Sequence, residues 1–232
     1  MEPVISVDNL VQRVGKKIIL NQLSFEVYAE CFGVFGTRGT GKTSLLHILA
    51  GIDKFKSGQV TVLGMDINRS ERYKNHLGLV TQQPSLFPDL RVAENLDFIA
   101  TLKNANKCNI NPLVEQLELE PFLGQPIKGL EAGVYQRLAL ACALLNHPQI
   151  LIVDQLIDDI DIYSRRLMTQ AISNFLAQGH TCIWGFSNPE YFKLMDRVAW
   201  LEGGQITLYA GDAAQQKWQR QLNSGHRGED DA

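Results

Sequence analysis

Long apolar runs and strong net charge are both absent from this sequence. No hydrophobic stretch reaches the roughly 18 to 20 residues that a membrane-spanning helix needs, and the start, MEPVISVDN, has neither the basic nor the apolar region of a signal peptide. A formal net charge of −3 is far from the basic surplus of nucleic-acid-binding chains, so we expect no nucleic-acid partner. Any role at a membrane is therefore expected to come through a partner protein.

Cysteine is also scarce. The four cysteines show no CxxC spacing, and three of them lie in apolar surroundings such as CFGVF and LACALL. This pattern predicts buried free thiols in a reducing compartment. The cysteines are Cys31, Cys108, Cys142 and Cys182.

What the sequence does contain is an alternation of strand-like runs and helical patterns. QILIV is apolar throughout, which predicts a central, parallel strand that ends at Asp154. The alternation predicts a wound α/β core. The strand candidates are VISV, LSFEV, CFGVF, GQVTVLG, LGLV, QILIV, TCIWG, RVAWLEG and QITLYAG.

Helices are expected after CFGVF, in the middle of the chain and between the later strands. The segment Val92 to Leu102 places Leu96, Ile99 and Leu102 on one predicted face. Because no repeat or low-complexity linker interrupts the chain, the helical middle is expected to be an insertion within one domain. The other helix candidates are SLLHILAG, Tyr135 to Leu145, Ser164 to Leu176 and a short helix near Glu190.

A glycine-rich phosphate loop lies between CFGVF and SLLHILAG. It matches G-x-x-x-x-G-K-[ST] in the strand-to-helix context that the motif requires, which a plain glycine turn with a surface lysine would not need. Its N–H groups can surround phosphate oxygens at a helix N-terminus. Lys42 is expected to reach the β- and γ-phosphates and Thr43 to bind Mg²⁺. The predicted ATP-binding residues here are Gly36, Thr37, Arg38, Gly39, Thr40, Gly41, Lys42, Thr43 and Ser44.

A second element and the material around it resemble one family. Asp154 can orient metal-bound water beside the phosphate loop. LGLVTQQPSLFPDLRVAENL resembles the Q-loop region of ABC transporter ATPases and places the family's metal-side glutamine at Gln82. YQRLALACALLNHPQILIVD resembles the helix after the family's signature motif and its Walker B strand, while DIYSRR and MDRVAWLEGGQI resemble the segments that follow. The resemblance covers residues 1 to about 210.

The resemblance implies a fold and ligands. The fold is a P-loop NTPase core with a mainly parallel sheet, an N-terminal antiparallel β subdomain and an inserted helical subdomain. The nucleotide-binding domain is expected over residues 1–222, with the helical subdomain at about 84–146 and a disordered tail over 223–232. ATP and Mg²⁺ are the implied ligands. The segments ENLDFIATLKN and DIYSRR look most like ATPases of exporters whose permeases are separate polypeptides.

The chain departs from the family pattern where hydrolysis is concerned. The glutamate that polarises the attacking water corresponds to Gln155, which can orient water but cannot accept its proton. A positioned general base contributes roughly 10²- to 10⁴-fold in rate. The switch histidine aligns with Ser187, or with Phe186 if the gap shifts by one residue. An engineered change of the catalytic glutamate to glutamine would give the same residue at position 155, but the other departures from the family pattern favour natural degeneracy.

Two further departures affect other nucleotide contacts. In the family, the signature motif holds the γ-phosphate of ATP bound on the other subunit, so a Glu131 carboxylate would repel phosphate. The aromatic residue that stacks on adenine corresponds to Val14, so roughly 1 to 3 kcal/mol of stacking is expected to be missing, by analogy with nucleic-acid bases. The residues that align with the signature motif are Leu130, Glu131, Ala132, Gly133 and Val134.

These features predict an ATP-binding subunit of a membrane exporter. It would sit peripherally at the cytoplasmic face of the cell (inner) membrane on separate permease subunits, bind Mg-ATP and dimerise, and hydrolyse ATP slowly or not at all. In a dimer, its phosphate loop and Gln155 serve one composite site while residues 130–134 serve the other, so it weakens both. A heterodimer with an orthodox second ATPase subunit is therefore favoured over a homodimer.

Two alternatives stay open. Asp158 or Asp159 in QLIDDIDIY would support normal hydrolysis if either replaced the missing glutamate, although a solvated acidic turn at a dimer contact is the more ordinary interpretation. A soluble ATP sensor without a permease is the second alternative. Relatives of that kind usually carry tandem ATPase domains or long insertions, and this chain has neither.

Overall fold

Two β-sheets with helices packed on them form the part of the chain that the computed structural model describes, residues 2–82, 86–156 and 160–225. The smaller sheet has four strands in the order β2-β1-β4-β5, all antiparallel. It confirms the predicted antiparallel β subdomain. The strands in chain order are β1 Ile5–Val14, β2 Lys17–Val27, β3 Cys31–Phe35, β4 Ser57–Val62, β5 Met65–Asp66, β6 Leu77–Val80, β7 Ile150–Asp154, β8 Thr181–Phe186, β9 Arg197–Glu202 and β10 Gln205–Ala210.

The larger sheet has six strands in the order β10-β9-β3-β8-β7-β6. Every pair is parallel except β9–β10, which is an antiparallel hairpin. The apolar strand β7 lies between β6 and β8 and is parallel to both, as predicted. The mainly parallel core is therefore confirmed.

Helices alternate with these strands. Between β6 and β7 lie α2, α3 and α4, within the predicted helical span, of which residues 84 and 85 lie outside the described residues. Helix α6 was not predicted and runs to Gly225, while residues 226–232 lie outside the description. The helices are α1 Lys42–Leu49, α2 Val92–Leu102, α3 Ile110–Gln116, α4 Ala132–Leu144, α5 Ile162–Ala177 and α6 Gly211–Gly225, with 3₁₀ turns at Arg72–His76, Lys107–Asn109, Glu120–Phe122 and Pro189–Leu194.

Strand alternation divides the core into two layers, one on each face of the larger sheet. Along β7, Ile150 and Ile152 pack with the apolar side of α1 and the smaller sheet. Leu151 and Val153 pack with α4 and α5 instead, since successive strand residues point to opposite faces. Because β3, β7 and β8 are parallel, their carboxyl ends meet at one edge of the sheet.

An aromatic cluster lies at that end of β3. The ring of Phe35 packs against Phe186, Phe192, Trp200 and Trp218, with centroid distances between 4.6 and 5.6 Å. Trp218 belongs to α6, so this contact attaches the last helix to the sheet. Phe35 is the residue immediately before the phosphate loop.

The bounds of α2 match the prediction, but its predicted face is only partly right. Leu96 is buried, whereas Leu102 is 62% exposed. The buried stripe is Val92, Leu96 and Ala100. Each three-residue step along a helix falls about 60° short of a full turn, so the second step carries Leu102 away from Leu96.

The cysteine predictions hold for the three thiols in apolar segments. Cys31, Cys142 and Cys182 are buried and unpaired, and Cys108 is exposed. No helix in the described ranges is both long and apolar enough to cross a membrane.

Candidate functional site

The phosphate loop connects the end of β3 to the start of α1, as the motif predicts. Gly39 and Gly41 adopt φ angles of 81° and 106°, a left-handed region in which glycine is favoured. A Cβ added to Gly36 would lie 2.6 Å from Thr40 Oγ1 and 2.7 Å from the Leu201 carbonyl oxygen. The glycines are therefore needed both for the turn and for its tight packing.

Lys42 is drawn into the loop. Its Nζ donates hydrogen bonds to the carbonyl oxygens of Gly36, at 2.8 Å, and Thr37, at 2.9 Å. The residue is only 3% exposed. Thr40 Oγ1 also donates a hydrogen bond to the Thr37 carbonyl oxygen, at 2.9 Å, which adds a further side-chain bond within the loop. A positive charge is thus held at the N-terminus of α1, where the helix dipole also favours an anion.

Thr43 and Asp154 form the metal side of the site. The Thr43 hydroxyl donates to Asp154 Oδ2 at 2.7 Å, across a sequence separation of 111 residues. Asp154 is 1% exposed, and its Oδ1 has no hydrogen-bond partner among the described residues. A carboxylate and a hydroxyl oxygen are donors that suit Mg²⁺ with bound water. The residues present therefore fit a magnesium ion bound with a nucleotide.

A cleft of about 490 Å³ is lined by nine of the predicted site residues, and Asp154 is not one of them. Residues of the phosphate loop line it together with Val14, Gln82 and Gln155, which the sequence had assigned to the same site. Lys17 and Ile19 also line the cleft and were not predicted. They lie on β2 just after the turn that follows Val14, and their two-residue spacing places them on one face of that strand, which is the signal that would have identified them.

Gln155 is held by its backbone at the rim of this cleft. Its φ angle is 51°, which is uncommon for a residue with a side chain, and its N–H donates to the Gly185 carbonyl at 2.9 Å. Gly185 in turn lies so close to Asp154 that an added Cβ would be 3.1 Å from Asp154 Oδ1. Gln155 and Asp154 are therefore positioned by the same strand end.

Ser187 rather than Phe186 contacts the phosphate loop. The Ser187 hydroxyl donates to the Gly36 carbonyl at 3.0 Å, while Phe186 is fully buried in the aromatic cluster. Among the two predicted positions for the switch residue, Ser187 is thus the one next to the loop. Asp158 and Asp159, the possible substitute carboxylates, lie outside the described residues.

The segment that aligns with the signature motif, residues 130–134, lies at the N-terminus of α4. Glu131 and Ala132 are exposed, whereas Gly133 and Val134 are buried. An added Cβ on Gly133 would overlap the Asp161 carboxylate and would lie 2.8 Å from Ser164 Cβ, so this glycine permits close packing of α4 against the start of α5. These residues are not among those that line the cleft of the same chain.

Asp161 fixes the start of α5 beside this segment. Its Oδ1 accepts a hydrogen bond from the Ser164 backbone N–H at 2.7 Å, as expected of an N-cap residue. That bond and a second one from the Ser164 hydroxyl lower the pKa of the Asp161 carboxyl. The carboxylate therefore stays charged at neutral pH, on the same surface as Glu131.

Comparisons with known proteins agree on one family. A family model described as ABC transporter matches residues 20–157. Nod factor export ATP-binding protein I of Burkholderia lata is 33% identical over 212 residues, which cover 88% of this chain and 70% of that protein. The protein of the same name from Sinorhizobium fredii is 31% identical over 87% of this chain and 61% of its own length. The chain thus spans 61% to 70% of the length of these relatives.

Solved structures show the same fold. A nucleotide-free ATP-binding cassette from an ABC transporter superposes with a TM-score of 0.83 at 19% identity, covering 93% of this chain and 94% of the other. A dimeric ATP-binding cassette bound to ADP and Pi superposes with a TM-score of 0.81 at 22% identity, covering 89% and 98%.

Proposed function

Since this chain belongs to the ABC transporter family, whose ATPases bind ATP with Mg²⁺, we propose that it is the ATP-binding subunit of an export system with separate permease subunits. It binds Mg-ATP, dimerises, and hydrolyses ATP slowly or not at all. The names of the similar proteins from Burkholderia lata and Sinorhizobium fredii support the export direction. Closure around the nucleotide would drive or regulate the permease.

The observation that carries this proposal is the hydrogen bond that joins Thr43, which lines the nucleotide cleft at the end of the phosphate loop, to the Asp154 carboxylate. Lys42 Nζ lies inside the loop, and Thr43 is bonded to Asp154 at 2.7 Å. In the proposed complex, the loop amides and Lys42 hold the phosphates, while Thr43, Asp154 and Gln82 lie on the metal side. A magnesium ion held by these residues would supply positive charge that offsets the charge developing on the phosphates.

Impaired hydrolysis is proposed because neither of the two positions that align with the family's proton-accepting groups carries such a group. Gln155 has an amide where the family has a carboxylate, and Ser187 has a hydroxyl where the family has an imidazole. Neither group accepts a proton from water near neutral pH. Glu131 adds a negative charge to the segment that would face the γ-phosphate of the partner's nucleotide.

The test measures binding and turnover separately on the purified chain. Titration calorimetry with Mg-ATP is expected to detect binding that Lys42→Ala abolishes, while phosphate release stays near background. Gln155→Glu is expected to raise turnover by about tenfold or more, because it restores a general base. Brisk turnover of the unaltered chain that disappears on Asp158→Asn with Asp159→Asn would reject the impaired-hydrolysis proposal. No nucleotide binding by the folded chain would reject the proposal as a whole.

A pair of exposed aromatic residues supports a membrane partner on the helical side. Phe87 and Phe98 are 38% and 41% exposed, and their rings pack edge to face at 4.7 Å. Leu102, on the same helix as Phe98, α2, adds further exposed apolar surface. Such patches commonly serve as protein contacts. We assign this surface to the permease, which would hold the chain at the cytoplasmic face of the membrane.

Co-purification from membranes tests the partner. The Phe98→Asp variant is expected to lose its binding to the permease while retaining ATP binding, since other residues line the nucleotide cleft. Glu115→Gln, a change at another exposed position of the helical insertion, is the matched control. Recovery of the unaltered chain from cytosol without any membrane protein would favour a soluble ATP sensor instead.

A further inference from the structure

A second concave site lies between α5 and the 3₁₀ turn Pro189–Leu194. This groove encloses about 510 Å³ and shares no lining residue with the nucleotide cleft. Trp184 and Cys31 contribute to its lining from the sheet, and Ile172, Leu176 and Leu194 supply apolar walls. Its volume and its mainly apolar lining are those of sites that bind small molecules.

The rim of the groove carries an excess of positive charge. Arg165, Arg166 and Lys193 line it, against a single carboxylate from Glu190. None of the three cations forms a salt bridge with another residue in the described ranges. Within the described residues, the groove therefore offers cations without a salt-bridge partner next to an apolar interior, which complements an anion with an apolar body.

Two hydrogen-bond donors in the lining are unsatisfied. Trp184 is 1% exposed, and its Nε1 has no hydrogen-bond partner among the described residues. Arg165 Nε is also buried and without a partner. Buried donors are normally paired, because leaving one unpaired costs the desolvation of that group. Both groups are donors only, so what they lack is an acceptor.

We propose that the groove binds a small amphipathic anion, with its apolar body against Ile172, Leu176 and Leu194 and its carboxylate or similar acceptor group at Arg165 and Trp184. The Arg165 side chain has several rotatable bonds and can swing outward to admit the acceptor group. The groove shares no lining residue with the nucleotide cleft. Its failure would therefore leave the proposed ATPase role untouched.

Two elements that line the groove continue along the chain into residues beside the nucleotide cleft. Trp184 precedes Gly185, which accepts the Gln155 N–H and lies against Asp154. The turn Pro189–Leu194 begins two residues after Ser187, which contacts Gly36. An anion in the groove would therefore rest on the elements that position Gln155 and Ser187.

The test titrates decanoate, below its micelle concentration, into the nucleotide-free chain by calorimetry. Saturable binding at one site is expected. Decyltrimethylammonium, which has the same chain length and the opposite charge, is expected to bind at least about tenfold more weakly. The double change Arg165→Gln with Lys193→Gln should lower the affinity for decanoate by about tenfold or more, because charge-assisted hydrogen bonds are lost.

Two matched variants locate the binding. Ser173→Phe fills the groove from an exposed position of α5 and should abolish decanoate binding, whereas Asn174→Phe, the exposed next residue outside the groove, should not. Lys56→Gln with Arg69→Gln removes the same charge elsewhere and should have no effect. Absence of decanoate binding, equal binding of the cation, survival of binding in Ser173→Phe, or displacement by ATP would each overturn the proposal.

Discussion

At the scale of single residues, the hydrogen bond between Thr43 and Asp154 determines which oxygen atoms are available to bind magnesium. The hydroxyl donates a hydrogen bond to Oδ2, which leaves oxygen lone pairs of Thr43 available to a metal ion and its water, together with Asp154 Oδ1, which has no partner among the described residues. Both oxygens lie next to the loop that would hold the phosphates. The two residues therefore act together rather than as separate ligands.

Asp154→Asn is expected to remove most of the benefit of magnesium for ATP binding. The amide keeps the shape but loses the negative charge, so affinity for Mg-ATP should fall about tenfold or more. Affinity for ATP in EDTA should hold or rise, because the metal is then absent and the change removes a negative charge that repels the phosphates. Calorimetric titrations with and without Mg²⁺ check this. Thr43→Ser, which keeps the hydroxyl, should behave like the unaltered chain, and an unchanged magnesium effect in Asp154→Asn would contradict the assignment.

Thiol reactivity gives a second prediction at this scale. Burial raises the pKa of Cys142 to about 12, so at pH 8 this residue is a protonated, unreactive thiol. Cys31 and Cys182 are buried as well, whereas Cys108 is exposed. Reaction of the native chain with an aromatic disulfide reagent at pH 8 should release one equivalent quickly, and Cys108→Ser should remove that phase. Fast reaction of several thiols would mean that the core opens readily.

The sequence predicts part of the site directly. The phosphate loop and Asp154 carry a motif whose geometry follows from its glycine spacing and from the apolar strand before it. The positive φ of Gln155 and the bond from Ser187 to Gly36 depend instead on how β3, β7 and β8 align. Contacts between distant segments of this kind leave no local periodicity in the chain.

At the scale of elements, the packing of α4 on α5 depends on Gly133. An added methyl group there would overlap the Asp161 carboxylate that caps α5. The cap cannot withdraw without losing its bond to the Ser164 N–H. This glycine of residues 130–134 is therefore needed for packing in the folded chain as well as for any role at a nucleotide.

Gly133→Ala is expected to destabilise the chain by roughly 1 to 3 kcal/mol, as overpacking of a close contact usually does. Gly124→Ala is the matched control, because an added Cβ at Gly124 would meet no atom within 4 Å. That change should be neutral or stabilising by a fraction of a kcal/mol, roughly 0.4 to 1 at most. Denaturant unfolding of both variants decides the matter, and equal stabilities would show that α4 and α5 adjust freely.

Element prediction succeeded where burial is periodic and failed where it is sparse. The strand β3 is a continuous apolar run and the helix α2 is apolar at helical spacing, so the sequence identifies both. The helix α6, GDAAQQKWQRQLNSG, is mostly polar and contacts the core chiefly through Ala214 and Trp218. Two apolar positions are too few to form a recognisable stripe.

At the scale of the whole molecule, the separation of residues 130–134 from the cleft has consequences for assembly. Within one chain, these residues are absent from the lining of the nucleotide cleft. The proposed dimer would bring them to the cleft of the other subunit. The Gln155 and the Glu131 of any one chain would then impair hydrolysis at different composite sites.

Mixing two variants tests this arrangement. Gln155→Glu chains combined with Glu131→Ser chains should form dimers with one site in which both changes are present, and turnover should exceed that of either variant alone by about tenfold or more. Adding Lys42→Ala to the Gln155→Glu chain should abolish the gain, whereas adding it to the Glu131→Ser chain should not. A mixture no faster than the average of the two variants would argue against sites shared between subunits, and with them the preferred heterodimer.

The aromatic cluster at the end of β3 makes intrinsic tryptophan fluorescence sensitive to the phosphate loop. Trp200 and Trp218 lie 4.7 and 5.6 Å from the Phe35 ring, measured between centroids, and Phe35 is bonded to the first residue of the phosphate loop. Any displacement of that residue shifts the surroundings of two indole chromophores. Their natural emission therefore offers a label-free signal for following events at the loop in real time.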